Sequence, residues 1–219
     1  MTAITISREI GSDGDLIAAQ VAQSLGYHLV DQKFIGTVMS QYGLIEFDQE
    51  YLALPGFWQR FDAQRLRRRD LVVDMLNQVI RAVARHGDVV IVGRSGYVVL
   101  AGFADVLHVR VRAPLAVRVA RMAAQVGLSP EQADEVVRHS DLVRATFVED
   151  VYGVSWESMQ AFDLIVDTGR LPADRVAGWI CDAARALKLT TGPMLSALWV
   201  DSVLAGAVAQ TLVCEHDHA

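Results

Sequence analysis

The residues best suited to chemistry begin at the first turn of the chain. Ser7-Arg8-Glu9-Ile10-Gly11-Ser12-Asp13-Gly14-Asp15 follows a stretch rich in β-branched side chains and precedes a helical pattern. Glycines in such a turn let backbone N–H groups converge on an anion, and the helix behind adds the positive end of its dipole. The turn therefore reads as a phosphate-holding loop, with an ordinary strand-to-helix turn as the alternative. A complete loop of this kind ends in Gly-Lys-Ser/Thr, where lysine reaches the β- and γ-phosphates and the hydroxyl holds Mg²⁺. Here Gly11-Ser12 is followed by Asp13-Gly14-Asp15-Leu16, with neither the lysine nor the hydroxyl. At ~4 Å and an effective dielectric of about 20, one like-charge contact costs on the order of 4 kcal/mol. Asp13 and Asp15 thus repel an incoming phosphate unless Mg²⁺ or arginine intervenes.

The elements that must position this turn alternate. Strand patterns at residues 2–7, 27–30, 88–92, 106–111 and 164–166 are separated by helical ones at about 16–25, 31–42, 59–86, 114–126, 130–152 and 173–187. Ser129-Pro130-Glu131-Gln132 has the form of a capping box with proline at the first helical position. Leu52–Trp58 reads as irregular. Alternation of this kind predicts an α/β fold, a parallel sheet with helices on both faces.

The formal net charge of −6 argues against general nucleic-acid binding. Cys181 and Cys214 form no disulfide framework and no metal-ligand spacing. The opening residues carry no secretory pattern, and a cytoplasmic location is expected. Thr190-Thr-Gly-Pro193 separates this body from an apolar tail, Met194–Val213, interrupted by Asp201. The tail is expected to be a docked helix covering the domain or a sister subunit in a homodimer. A membrane helix is the less favoured alternative, because a charge falls within the run and no Lys/Arg cluster flanks it. His216, Asp217 and His218 are a weak metal signal on an end expected to be disordered.

Taken in order, the motifs resemble the cytidylate kinase-like family of P-loop proteins. The opening Ile4-Thr-Ile-Ser-Arg-Glu-Ile-Gly-Ser-Asp-Gly14 carries the resemblance first. It continues through Tyr27-His-Leu-Val-Asp31-Gln-Lys33, Val90-Ile-Val-Gly93-Arg94-Ser-Gly96 and Ala113-Pro114-Leu-Ala-Val-Arg118-Val-Ala-Arg121. Asp141-Leu-Val-Arg144, Tyr152-Gly-Val-Ser-Trp156 and Phe162-Asp163-Leu-Ile-Val-Asp-Thr168-Gly complete it, so that it spans about residues 3–188. The resemblance implies a P-loop NTPase-type sheet over 1–189, with a flap at about 37–86 and a helical lid at about 115–152. It also implies phosphoryl transfer from ATP or another NTP, with Mg²⁺, to a nucleoside monophosphate or similar small acceptor. Val92 and Ser95 stand where cytidine-specific relatives carry acids, which puts cytidine itself in doubt.

On that template, Arg8, Gly11, Ser12, Asp13, Gly14 and Asp15 form the donor loop, with Arg8 partly replacing the missing lysine or pairing with Glu9 or another acid. Arg94, at a strand end between glycines, is placed to bind the acceptor phosphate. Asp31 and Lys33 are placed near the acceptor, although Asp31 serves equally as a helix N-cap. Arg118 and Arg121 share one helix face, and Arg138, Asp141 and Arg144 repeat the spacing on the next. Arg118, Arg121 and Arg144, with Asp141, are expected to close over the phosphoryl group; a solvated, salt-bridged helix pair is the bland alternative. Arg65 and Arg67-Arg-Arg69 read as a substrate-facing flap or a solvated face. The rival to an active enzyme is a nucleotide-binding or regulatory protein of the same fold that has lost catalysis, and a third reading is an interaction protein that assembles through its tail.

Overall fold

The computed structural model describes residues 2–44, 63–189 and 191–216. Five strands, β1 (Ala3–Arg8), β2 (His28–Val30), β3 (Val89–Val92), β4 (Val106–Arg112) and β5 (Leu164–Asp167), form one sheet in the order β2-β3-β1-β4-β5. Every pairing is parallel, with Ala3 opposite Val89 and Val106, and Ser7 opposite Arg110. Parallel neighbours need long crossovers, and the helices supply them: α1 (Gly14–Leu25), α2 (Gln32–Gln41), α3 (Ala63–His86), the short α4 (Gly96–Val99), α5 (Leu115–Val126), α6 (Pro130–Tyr152), α7 (Ala173–Ala186) and α8 (Ser202–His216). The α/β architecture expected from the alternation is the one observed.

The period of two along a strand divides the core into two unlike halves. Ile4 and Ile6 of β1, with Leu107, Val109 and Val111 of β4, meet Ile17 and Val21 of α1 and Val176 and Ile180 of α7 in an almost entirely aliphatic cluster. The opposite face packs on α2, α3 and α8 through Phe34, Leu76, Ile80, Leu204 and Val208. It also carries Thr5, Ser7, His108 and Arg110, all buried. In contrast β3, with Val89–Val92 buried throughout, is apolar on both faces.

The tail takes a different form from the one expected. The apolar tail is not one long helix: a 3₁₀ turn at Leu195–Ala197 precedes α8. The acid that interrupts the run, Asp201, accepts from the Val203 and Leu204 amides at 2.9 and 3.1 Å and so caps α8. Leu204, Val208 and Leu212 are buried, one helical turn apart. Among the described residues no helix is long and apolar enough to cross a membrane. The capping box at Ser129 is present, with Gln132 N donating to Ser129 Oγ and Ser129 N donating to Gln132 Oε1. The Leu52–Trp58 stretch, the beginning of the long helix at Gln59, and Asp217 and His218 lie outside the described residues, as do the side chains of Arg65 and His216.

Candidate functional site

The glycine-rich turn joins the end of β1 to α1 and passes through left-handed backbone at Gly11 (φ 77°) and Asp13 (φ 61°). Both glycines are required by crowding. A Cβ on Gly11 would lie 2.7 Å from the Arg118 carbonyl oxygen of α5, and a Cβ on Gly14 would run into the Arg8 side chain. Ser12 is fully buried, and its hydroxyl donates to Glu9 O at 2.7 Å, which shapes the turn from inside. The first amides of α1 lack partners within the helix, as those of any helix do.

Arginines offset the acids of this turn. Arg121 of α5 pairs with Asp13 at 3.1 Å and donates to Gly11 O and to Thr168 Oγ1 and O. Thr168 in turn donates to Ser12 O at 2.9 Å. Arg8 pairs with Asp15 at 3.0 Å, and its guanidinium lies so close against Gly93 that a Cβ there would overlap it. Glu9 accepts from the Ala113 amide at 3.1 Å and faces Arg118 at 3.3 Å and Arg110 at 3.8 Å. The partner of Arg8 is therefore Asp15, the "other acid" of the two alternatives read from the sequence.

Beside the turn, the end of β3 leads into Gly93-Arg94-Ser95, three consecutive residues with φ of 69°, 51° and 57°. Left-handed backbone at non-glycine residues costs about 1–3 kcal/mol each and persists only where the surroundings enforce it. It turns Arg94 and Ser95 inward, each 4% exposed. Here they meet Ser7, Arg8, Arg144 of α6 and Trp156 around a narrow recess of about 20 Å³. Arg144 also lines a larger neighbouring cavity of about 660 Å³, together with Ile10, Gln32, Glu135, His139 and Ser140. That volume falls within the usual range for small-molecule sites, about 300–1,000 Å³.

The polar column under the sheet supports this recess. Arg110 donates to Ser7 Oγ at 2.8 Å and stacks over Trp156 at 3.9 Å from the ring centroid. Burial pushes its guanidinium below its ordinary pKa, and the neighbouring Glu9 carboxylate opposes that shift. His108 Nδ1 lies 2.7 Å from Thr5 Oγ1, and burial holds its pKa down against the pull of Asp163.

The structure thus brings Arg8, Arg94 and Arg144 together around one recess. Arg118 is held by Glu9 and Asp141, and Arg121 by Asp13. Asp31 is the N-cap of α2, accepting from Phe34 N at 2.9 Å, and Lys33 is exposed on that helix. Sequence reasoning passed over Arg110, Gln32, His139, Ser95 and Trp156 as site residues. A cue was available for Arg110, since an arginine between Val109 and Val111 on a strand bounded by buried neighbours needs a partner.

Among the described residues no three His, Cys, Asp or Glu side chains cluster to hold a metal. Ser12 Oγ is committed to the backbone, whereas the Asp15 carboxylate is 73% exposed at the rim of the turn.

Comparison with known proteins agrees with the geometry. A model of the cytidylate kinase-like family matches residues 3–170, and the chain belongs to that family. It is 29% identical over 179 residues to a cytidylate kinase of Ignicoccus hospitalis, covering 80% of this chain and 95% of the relative. A cytidylate kinase of Pyrobaculum aerophilum is 28% identical over 175 residues, covering 78% and 86%. The crystal structure of an uncharacterized protein from Eubacterium ventriosum matches with a TM-score of 0.65 at 16% identity, over 85% of this chain and 99% of that one. That likeness concerns the fold alone. The family match ends at residue 170, so α7 and the tail with α8 lie beyond it.

Proposed function

We propose that the protein is a phosphotransferase that moves a phosphoryl group from ATP or another NTP to a nucleoside monophosphate or similar small phosphorylated acceptor. One observation carries this reading: Arg8, Arg94 and Arg144, from three separate elements, converge on one recess beside the glycine-rich turn. Convergent guanidinium groups suit a phosphoryl group passing between two anions, where catalysis is mostly positioning and charge neutralisation. The donor phosphates would lie over Gly11–Asp15 and the amides opening α1, with Asp15 and the phosphates holding Mg²⁺. That ion would supply charge neutralisation to the donor phosphates. Arg8 supplies at the turn the positive charge that lysine supplies in a complete loop. Arg94 holds the acceptor phosphate, and the adjoining 660 Å³ cavity takes the rest of the acceptor. Arg144, shared by recess and cavity, stands between the two substrates.

A second reading has a specific observation in its favour. Asp13 and Asp15 already occupy Arg121 and Arg8, as in a nucleotide-binding or regulatory protein of this fold that no longer transfers phosphate. A screen of ATP with Mg²⁺ against CMP, UMP, AMP, GMP and their deoxy forms separates the two. Transfer to at least one acceptor, abolished by Arg94→Ala in a folded protein, supports the enzyme. Nucleotide binding without transfer to any acceptor supports the second reading.

A further inference from the structure

Arg118 is only 6% exposed, and its guanidinium is filled from both ends. Nε donates to Ala113 O at 3.0 Å and faces Glu9 at 3.3 Å. Nη1 and Nη2 meet the two oxygens of Asp141 at 3.1 and 2.9 Å, a bidentate fork that fixes direction as well as distance. Glu9 belongs to the glycine-rich turn, Arg118 to α5 and Asp141 to α6. One line of charge, −, +, −, therefore joins the three elements.

We propose that Arg118 is a positioning residue: the Glu9–Arg118–Asp141 chain fixes the rotation of α6 against the glycine-rich turn and thereby sets where Arg144 stands. This rests on the phosphotransfer reading of the recess for its functional consequence, though not for the tether itself. Asp141 and Arg144 are three residues apart on α6, so they share a face and turn together. The apolar contacts between the same elements, through Ile10, Met122, Ala133 and Val137, hold α5 and α6 close. Apolar packing is not directional, whereas a bidentate ion pair is. Arg138, also on α6, does not contribute to the tether, since it pairs with Asp134 on its own helix at 2.7 Å, where both are well exposed. The backbone of Arg118 takes part as well, since its carbonyl oxygen occupies the space a side chain at residue 11 would fill.

The test is a set of double-mutant cycles on kcat/KM with ATP and the best acceptor from the screen. Arg118→Lys and Asp141→Asn are each expected to lower kcat/KM about tenfold alone, yet less than about twofold in an Arg144→Ala background, because residues acting through one another are not additive. Asp141→Glu, which keeps charge and fork, restores most of the loss. Losses that multiply on Arg144→Ala overturn the proposal, since Arg118 would then act on the substrate independently. Hydrogen exchange of the unliganded protein supplies a readout that needs no activity. Asp141→Asn should speed exchange across Pro130–Tyr152 while leaving β1, β3 and β4 unchanged; unchanged exchange in α6 overturns the tether. If α6 loosens but the wild-type protein transfers phosphate to no acceptor, the tether stands and the phosphotransfer reading falls.

Discussion

The two faces of the sheet are built from the same strands by opposite rules. Toward α1 and α7, β1 and β4 present Ile4, Ile6, Leu107, Val109 and Val111, with no polar atom to satisfy. On the opposite face the same strands present Thr5, Ser7, His108 and Arg110, each joined to a neighbour across the sheet. Burying polar groups costs free energy unless they find partners, which the Thr5–His108 and Ser7–Arg110 pairs supply beside the apolar cluster built on the same face. The difference lies in what β1 and β4 place on each side: aliphatic side chains alone toward α1 and α7, and on the other face polar pairs that lie beneath Trp156 and the arginine-lined recess.

The contrast breaks most sharply under a substitution on the aliphatic side. Ile17→Ala, at a fully buried position of α1, is expected to cost about 2–5 kcal/mol of stability by loss of transfer energy and creation of a cavity. Urea denaturation checks the loss. Turnover measured well below the melting point should change little, and a large fall in kcat would blur the division between faces. On the other side the signature reverses. Arg144→Ala is expected to lower kcat/KM by about 10²–10³-fold, the range for removing one donor to developing charge, while thermal unfolding monitored by circular dichroism stays near the wild-type midpoint.

At the rim where the faces meet, Gly14→Ala should affect both properties moderately. The new methyl group runs into the Arg8 side chain, and overpacking of this kind costs about 1–3 kcal/mol. Because Arg8 must shift, the affinity for ATP should fall along with stability, which a parallel calorimetric titration and urea melt would measure.

The smallest effect concerns His108. Burial lowers its pKa from 6.5, with Asp163 opposing. The unfolded chain then takes up the proton near pH 6.5 and the folded chain only at lower pH. The contribution to stability is therefore present above pH 6.5 and is lost as pH falls from there toward the folded pKa. Urea midpoints at pH 7.5 and pH 5.5 should differ more for the wild type than for His108→Gln; equal differences would place the titrating group elsewhere.

Much of the fold was legible in local sequence, and the unread parts share a cause. Strands, helices and the capping box follow from β-branched runs, helical periodicity and cap residues within a few positions of one another. The order β2-β3-β1-β4-β5 depends on crossovers that leave no local trace. That Asp13 is paired with Arg121, which is also hydrogen-bonded to Gly11 from 110 residues away, leaves no local trace either. The partner of Arg110 was hidden in a similar way: Ser7, whose hydroxyl accepts from it, lies 103 residues distant. Asp201 illustrates the converse case. In sequence it is a charge that spoils an apolar span, and in the structure it is the cap that lets α8 begin.

For the proposed chemistry, the glycine-rich turn must accept the phosphates of a nucleotide although Asp13 and Asp15 flank it. Calorimetric titration of ATP with Mg²⁺ into the full chain tests that most directly. Saturable binding at millimolar concentrations or tighter, weakened when Arg8 is replaced by alanine, is the predicted result. A wild-type protein that shows no association with ATP or ADP over the same range would contradict it.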